Sequence, residues 1–298
     1  MAKTGSGGLP GTAEGAALGR ALHARFADTP VLADDWAEHL LSAADQARFS
    51  DAGNTPDMHA IEGFDASGVF AVNVGCLRYA EDEVLRSLHS GLRQYLVLGA
   101  GLDTFALRHG TAVPGLKVYE VDHPDVQALK RARIAAASRV PAALPEFVAV
   151  DFETDALNAA LLAAGFDSAT PAVASWLNTL HYLTEEAIRA SMAHLSTVLA
   201  PGSRLVLNYA PDVDFSEAQL AYVLRLLEVV DTAGEPMASR WRPEAFVSLL
   251  GEFGFSVVEH LDEEQLTERY FAARGDGLRP AIPLRVLIAE KVTRQTTS

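Results

Sequence analysis

From Gln94 onward, short apolar runs alternate with longer stretches of helical periodicity. Residues 95–98 form the first run, stopped by Gly99, and residues 118–121 the second, ending at Asp122. Residues 147–150 end at Asp151, and residues 171–177 and 204–209 follow. Helical periodicity fills residues 125–137, 156–164 and 185–199 between them. Apolar strands spaced by helices predict a parallel sheet covered on both faces. Residues 255–260 and 283–290 read as two closing strands, which makes about seven. Ahead of the sheet, helices are expected over residues 13–25, 35–43 and 75–90, with Thr12 and the Asp34-Asp35 pair as caps. The Asp-, Gly-, Asn- and Pro-bearing stretch 50–65 reads as a loop. After the fifth strand, helices are expected over 215–230 and 243–253, with a polar turn over 232–240 between them.

No linker divides this pattern. The expectation is an α/β, doubly wound, seven-stranded, mostly parallel sheet in a single domain over residues 12–298. Residues 12–92 form an N-terminal helical cap, 93–210 the ligand-binding core, 211–245 an insertion facing the substrate, and 246–298 the closing strands. Residues 1–11, rich in Gly and Ser and without an apolar run, read as a disordered tail rather than a secretory leader.

Composition narrows the partners. A net charge of −15 over 298 residues disfavours nucleic acid and anionic lipid, which call for basic patches. The single cysteine, Cys76, allows no internal disulfide, and no Cys/His cluster has structural-zinc spacing. A reducing, cytoplasmic setting is expected, with no metal, no membrane span and a small-molecule partner.

The candidate chemistry begins at Leu98-Gly99-Ala100-Gly101-Leu102-Asp103-Thr104, directly after the first strand. Glycines there allow a sharp turn and close backbone approach to a ligand. Acidic residues close the next two strands: Glu120 and Asp122, then Asp151 followed by Phe152. A carboxylate at the second strand end can accept ribose hydroxyls, and an acid beside an aromatic suits an adenine amino group and ring. A dinucleotide fingerprint would carry a third glycine where Thr104 stands, so the pattern favours an adenosine without phosphates over NAD(P). S-adenosylmethionine is the commonest such cofactor. An NAD(P)-dependent oxidoreductase and a non-methylating protein on the same fold are the alternatives.

Several segments resemble the bacterial, polyketide O-methyltransferase-like branch of the leucine carboxyl methyltransferase family. They are residues 12–18 with Arg20-Ala21, the Leu98–Thr104 turn, Tyr119-Glu120-Val121-Asp122-His123-Pro124 with Lys130, Ser175-Trp176-Leu177, and Tyr182 to Glu186. The resemblance implies a class I, Rossmann-like S-adenosylmethionine-dependent methyltransferase whose last strand runs antiparallel. It implies that Arg78 pairs with the cofactor's methionine carboxylate and that Gly99, Ala100 and Gly101 contact the cofactor through their backbone. Asp122 would then bind the ribose with Glu120 nearby, Asp151 and Phe152 would hold adenine, and Trp176 and Leu177 would pass beside the methionine part. Three positions depart from the family: Phe105 where Arg is frequent, Leu177-Asn178 where Glu-Gly is common, and His181 where an apolar residue is usual.

His181, just past the fourth strand, is the candidate base for a hydroxyl acceptor, on the strength of its ordinary pKa of about 6.5. Tyr209, Tyr222, Met237, Arg240 and Trp241 are the candidate acceptor contacts; the aromatics and Met among them suit an apolar small molecule, with plain covering of the sheet as the competing reading. Trp176 and Tyr182 have a competing reading as core, Cys76 reads as a small buried hydrophobe, and Glu263-Glu264 as a solvated face.

Overall fold

A computed structural model describes residues 11–50, 60–61, 64–232 and 237–293. The tail expectation for residues 1–11 therefore lies outside the described residues, except at Gly11. The cap holds α1 (Thr12–Phe26), a 3-10 turn (Ala37–Leu40), α2 (Ala43–Ser50) and the two-residue strands β1 (Ala60–Ile61) and β2 (Phe64–Asp65). Gly11 precedes α1 without a side-chain cap, so Thr12 lies inside the helix rather than capping it. Asp34 does cap its turn, its Oδ1 accepting from the Trp36 and Ala37 amides at 3.3 and 3.1 Å, but the segment is one 3-10 turn, not a longer helix.

The long helix α3 (Ser67–His89) starts eight residues before the expected point at residue 75, because the apolar stretch 69–74 continues its buried face. Phe70 lies against Gly19 of α1, where an added Cβ would come 2.5 Å from its ring. The small residue sets how closely the two helices cross.

The core alternates β3 (Gln94–Leu98), α4 (Phe105–His109), β4 (Lys117–Asp122), α5 (Pro124–Ala136), β5 (Glu146–Ala149), α6 (Leu157–Ala163), β6 (Val173–Trp176), α7 (Glu185–Val198) and β7 (Arg204–Tyr209). It ends with α8 (Glu217–Thr232), α9 (Pro243–Glu252), β8 (Phe255–Asp262), α10 (Glu263–Tyr270) and β9 (Arg285–Lys291). The seven strands run β5-β4-β3-β6-β7-β9-β8. The first five are parallel, and β9 lies antiparallel between β7 and β8.

The central strands read as unbroken apolar runs because both faces are covered. Leu96, Leu98, Tyr119 and Val121 pack under α6, α7 and α9, while Tyr95, Val97, Val118 and Val206 pack under α3. A third cluster joins Leu102 and Leu107 to Ala17, Leu22, Trp36 and Leu40 and seats the cap on the turn after β3. Chain order reverses between β3 and β6, and in such sheets a crevice opens beyond the carboxyl ends of those strands.

Helix α10 was not expected. The Asp262 side chain accepts from the Gln265 amide, and Gln265 reaches back to the Asp262 amide, a reciprocal cap that starts the helix. Glu263 is not a solvated charge. It accepts from Gln219 at 3.1 Å and from Arg285 at 3.3 Å, and so ties α10 to α8 and β9. Cys76 is fully buried, and burial pushes its thiol up to about 12, which makes it an inert core residue. Among the described residues, no helix is long and apolar enough to cross a membrane.

Candidate active site

The site is built where β3, β4 and β6 end. Gly99 (φ +62°) and Gly101 (φ +50°) turn the chain out of β3 through the left-handed region. The two glycines are constrained differently. A Cβ on Gly99 would fall 2.1 Å from Thr179 Oγ1, whereas one on Gly101 would meet only Ala13 Cβ, at 3.5 Å. Ala100 turns its side chain into the core and offers only backbone to a ligand.

Asp122, at the end of β4, accepts from the Gly101 amide at 2.5 Å through Oδ2 and from the His123 amide at 2.7 Å through Oδ1. Burial raises its pKa, and those two amides oppose the rise. Each oxygen keeps a further lone pair, so the carboxylate can shape the turn and still accept ligand hydroxyls.

Glu120 is elsewhere. It is almost wholly enclosed and paired with the equally enclosed Lys130 Nζ, while Gln127 donates to the Glu120 and Val148 carbonyls at 2.9 Å. Its Oε1 has no partner, and burial pushes the carboxyl up against the opposing pull of Lys130. This pair is a buried brace behind the site, not a ribose-facing surface.

At the end of β5, Asp151 is half-buried and caps its own turn, with Oδ1 accepting from the Glu153 amide at 3.0 Å. Phe152 stacks on Trp176 with ring centroids 5.5 Å apart. Trp176 itself is fully buried in the main cluster, its Nε1 unpartnered, so it is core rather than an open wall. Leu177 is also buried. Arg78 lies on the exposed side of α3, donating to Asp82 at 2.8 Å and to the Val31 carbonyl at 3.2 Å. The cofactor role implied for Arg78 thus starts from a guanidinium already engaged on the helix surface.

His181 sits in a 3-10 turn (Leu180–Tyr182), half-buried, with its ring 4.1 Å from that of Tyr182. Burial without an anionic partner pushes its pKa down to about 4, well below the ordinary value on which the base assignment rested. Its carbonyl accepts from the Ala238 and Ser239 amides at 2.7 and 3.3 Å, and Ser239 Oγ donates to the Leu180 carbonyl at 3.0 Å. The segment beginning at Met237 then pairs Trp241 with Pro211. The insertion therefore returns across the ends of β6 and β7, beside His181.

The acceptor candidates are not all gathered there. Tyr209 and Trp241 are buried around Phe246, with the Tyr209 hydroxyl 3.1 Å from His260 Nε2. Tyr222 accepts from the Val69 amide at 3.3 Å, at the start of α3. Arg240 donates to the Pro211 carbonyl at 3.0 Å and lies over the Phe215 ring.

Sequence reasoning missed three groups. Thr104, read only as the absent third glycine, donates to Asp34 at 2.7 Å. Asp34 also pairs with Arg20 at 2.8 Å and Arg108 at 3.4 Å, and Arg108 with Glu81; Arg20 in turn donates to the Leu102 carbonyl at 2.6 Å. This enclosed set of charges fastens the cap to the turn after β3. The third is Asn178 with Asn208. Asn178 is the only non-glycine residue with positive φ among the described residues, at +54°. The departure noted at Leu177-Asn178 was the available signal. Asparagine tolerates the left-handed region better than other side chains do.

A sequence model of the leucine carboxyl methyltransferase family matches residues 13–196. A Mycobacteroides abscessus protein described as "Putative S-adenosyl-L-methionine-dependent methyltransferase" is 33% identical over 262 residues, 85% of each chain. The Bacillus subtilis protein "Putative S-adenosyl-L-methionine-dependent methyltransferase YktD" is 32% identical over 201 residues, 67% of this chain and 66% of that one. Among solved structures, a DUF574 family protein from Streptomyces avermitilis superposes with a TM-score of 0.58 at 20% identity, over 93% of this chain and 97% of that one, and so shares the fold.

Proposed function

The chain belongs to the leucine carboxyl methyltransferase family of S-adenosylmethionine-dependent methyltransferases, and we propose that it methylates a hydroxyl or carboxyl oxygen of a small, apolar, polyketide-like molecule. The carrying observation is the turn after β3. At Gly101 a Cβ would meet only Ala13 Cβ, in ordinary contact at 3.5 Å, and the turn is held by a carboxylate that still has lone pairs for hydroxyls. Those features fit an adenosine. Gly99, Ala100 and Gly101 would offer backbone, Asp122 the ribose acceptor, and the Asp151-Phe152 end the adenine contacts. Glu120 is spoken for by Lys130.

When bound, S-adenosylmethionine supplies a methyl group activated by a cationic sulfonium, and the protein's part is alignment and exclusion of water. The enclosed ends of β6 and β7, covered by residues 237–241, suit that exclusion. An acceptor carboxylate is already ionised at neutral pH and needs no base. An acceptor hydroxyl needs a base: His181 is unprotonated at pH 7, but the burial that lowers its pKa to about 4 also makes it a weak proton acceptor, so that role requires the value to rise in the loaded site.

The reading is tested by binding and turnover. S-adenosylhomocysteine is expected to bind in titration calorimetry and raise Tm, and a panel of phenols and carboxylic acids is expected to yield a labelled methyl product. Stabilisation by NADH but not by S-adenosylhomocysteine would sink it. His181→Ala separates the two acceptor classes. With a hydroxyl acceptor kcat is expected to fall roughly 100-fold or more, whereas with a carboxylate acceptor it should stay within a few-fold. Full activity of His181→Ala on a phenol removes the base assignment and leaves the cofactor reading intact.

A further inference from the structure

Leu98 of β3 and Trp176 of β6 are register partners, so the two strand exits leave the sheet side by side. Both exits pass through the left-handed region, at Gly99 (φ +62°) and at Asn178 (φ +54°). The Thr179 side chain occupies the space a Cβ on Gly99 would fill, and its hydroxyl donates to the Leu177 carbonyl at 2.9 Å. The conformation of the β6 exit therefore sets how the glycine turn packs.

A non-glycine residue persists at such a φ when its surroundings hold it there. Asn208, on the neighbouring strand β7, does so twice. Its Oδ1 accepts from the Asn178 amide at 2.6 Å, and its Nδ2 donates to Asn178 Oδ1 at 2.8 Å. Asn208 is only 4% exposed, so water competes little for either bond. Its side chain reaches the exit of β6 from β7.

Resting on the methyltransferase reading above, we propose that Asn178 and Asn208 form a positioning pair for the cofactor site. Their reciprocal amide bonds hold the β6 exit in the one arrangement that seats Thr179 against Gly99, and thereby fix the wall opposite Asp122. Neither residue needs to touch the reacting atoms. The chain meets this φ with an asparagine and a partner that locks it.

The test compares variants by titration with S-adenosylhomocysteine, with circular dichroism and Tm as controls for folding. Asn178→Gly adopts the φ without a side chain, and Asn178→Asp keeps an acceptor for Asn208 Nδ2; both are expected to bind within about threefold of wild type. Asn178→Val, which resists positive φ, and Asn208→Ala, which removes both bonds, are expected to weaken binding roughly 10- to 100-fold while remaining folded, the scale of a misplaced site. If Asn178→Val does not fold, Asn208→Ala decides, since it forces no backbone change. Hydrogen exchange of residues 177–181 is expected to speed up in Asn208→Ala. Folded Asn178→Val or Asn208→Ala binding like wild type, with unchanged exchange, overturns the proposal. Failure of wild type itself to bind S-adenosylhomocysteine overturns the cofactor reading and this inference with it.

Discussion

Gly99→Ala is expected to destroy cofactor binding and to destabilise the fold as well. The added methyl would lie 2.1 Å from Thr179 Oγ1 and 2.9 Å from Thr179 Cβ, so more than the end of a flexible chain has to move. The residue also sits at φ +62°, where an L-residue costs about 1–2 kcal/mol. Overpacking between two strand exits adds roughly 1–3 kcal/mol. The sum, on the order of 2–5 kcal/mol, is released by shifting either the glycine turn or the β6 exit, and either shift distorts the cofactor wall. A rearrangement of that size is expected to weaken S-adenosylhomocysteine binding by about 100-fold or more, since each ~1.4 kcal/mol is tenfold.

Gly101 provides the contrast. An added Cβ there meets only Ala13, so Gly101→Ala is expected to cost about 1–2 kcal/mol from its φ of +50° and little from packing. Gly101→Arg fills the ligand space from a turn that can still fold, and is expected to abolish binding with a modest loss in Tm. Melting and calorimetry on the three variants separate the roles. Gly99 acts through packing and Gly101 through the open space it leaves. Equal binding losses at equal Tm across the set would refute that division.

Much of this architecture was legible because it depends on local pattern. Strands buried on both faces must be apolar throughout, and the runs at residues 95–98 and 204–209 announced themselves for that reason. The glycine turn was legible because few residues can pass through positive φ, and Asp122 drew notice as the acid that stops an apolar run, although its bonds to the Gly101 and His123 amides were not foreseen. What escaped is what depends on distant partners. Periodicity cannot show that Glu120 will find Lys130, that Trp176 will have no exposed face, or that Arg78 will turn to Asp82. Asn178 escaped as a departure from a family pattern, although the pattern was itself the clue: a position that favours glycine asks which φ it needs. Helix α10 escaped because it is short and polar, and only its reciprocal cap and the Glu263 contacts hold it.

The second large effect is expected at Asp34, which sequence reasoning treated only as a cap. Asp34 is 1% exposed, and its carboxylate faces Arg20, Arg108 and the Thr104 hydroxyl. Burial alone would raise its pKa, but the two guanidiniums and the hydroxyl outweigh burial and hold the carboxyl below its ordinary value. A depressed folded pKa means that the contribution is complete at neutral pH and is lost as pH falls through that value. Asp34→Ala leaves the buried Arg20 without the carboxylate it pairs with and Arg108 with Glu81, and removes the side-chain acceptor of the Trp36 and Ala37 amides. Breaking a buried pair in this way costs about 3–5 kcal/mol, which in a chain of this size is on the order of a 10 °C fall in Tm. Because Arg20 also holds the Leu102 carbonyl, the same change is expected to loosen the turn after β3 and weaken S-adenosylhomocysteine binding. Arg20→Met in the Asp34→Ala background removes one stranded cation and is expected to recover part of the Tm but not the binding, since the tie to Leu102 is then gone. Recovery of both would show that the charge cluster serves stability alone, and wild-type Tm together with wild-type binding in Asp34→Ala would show that it serves neither.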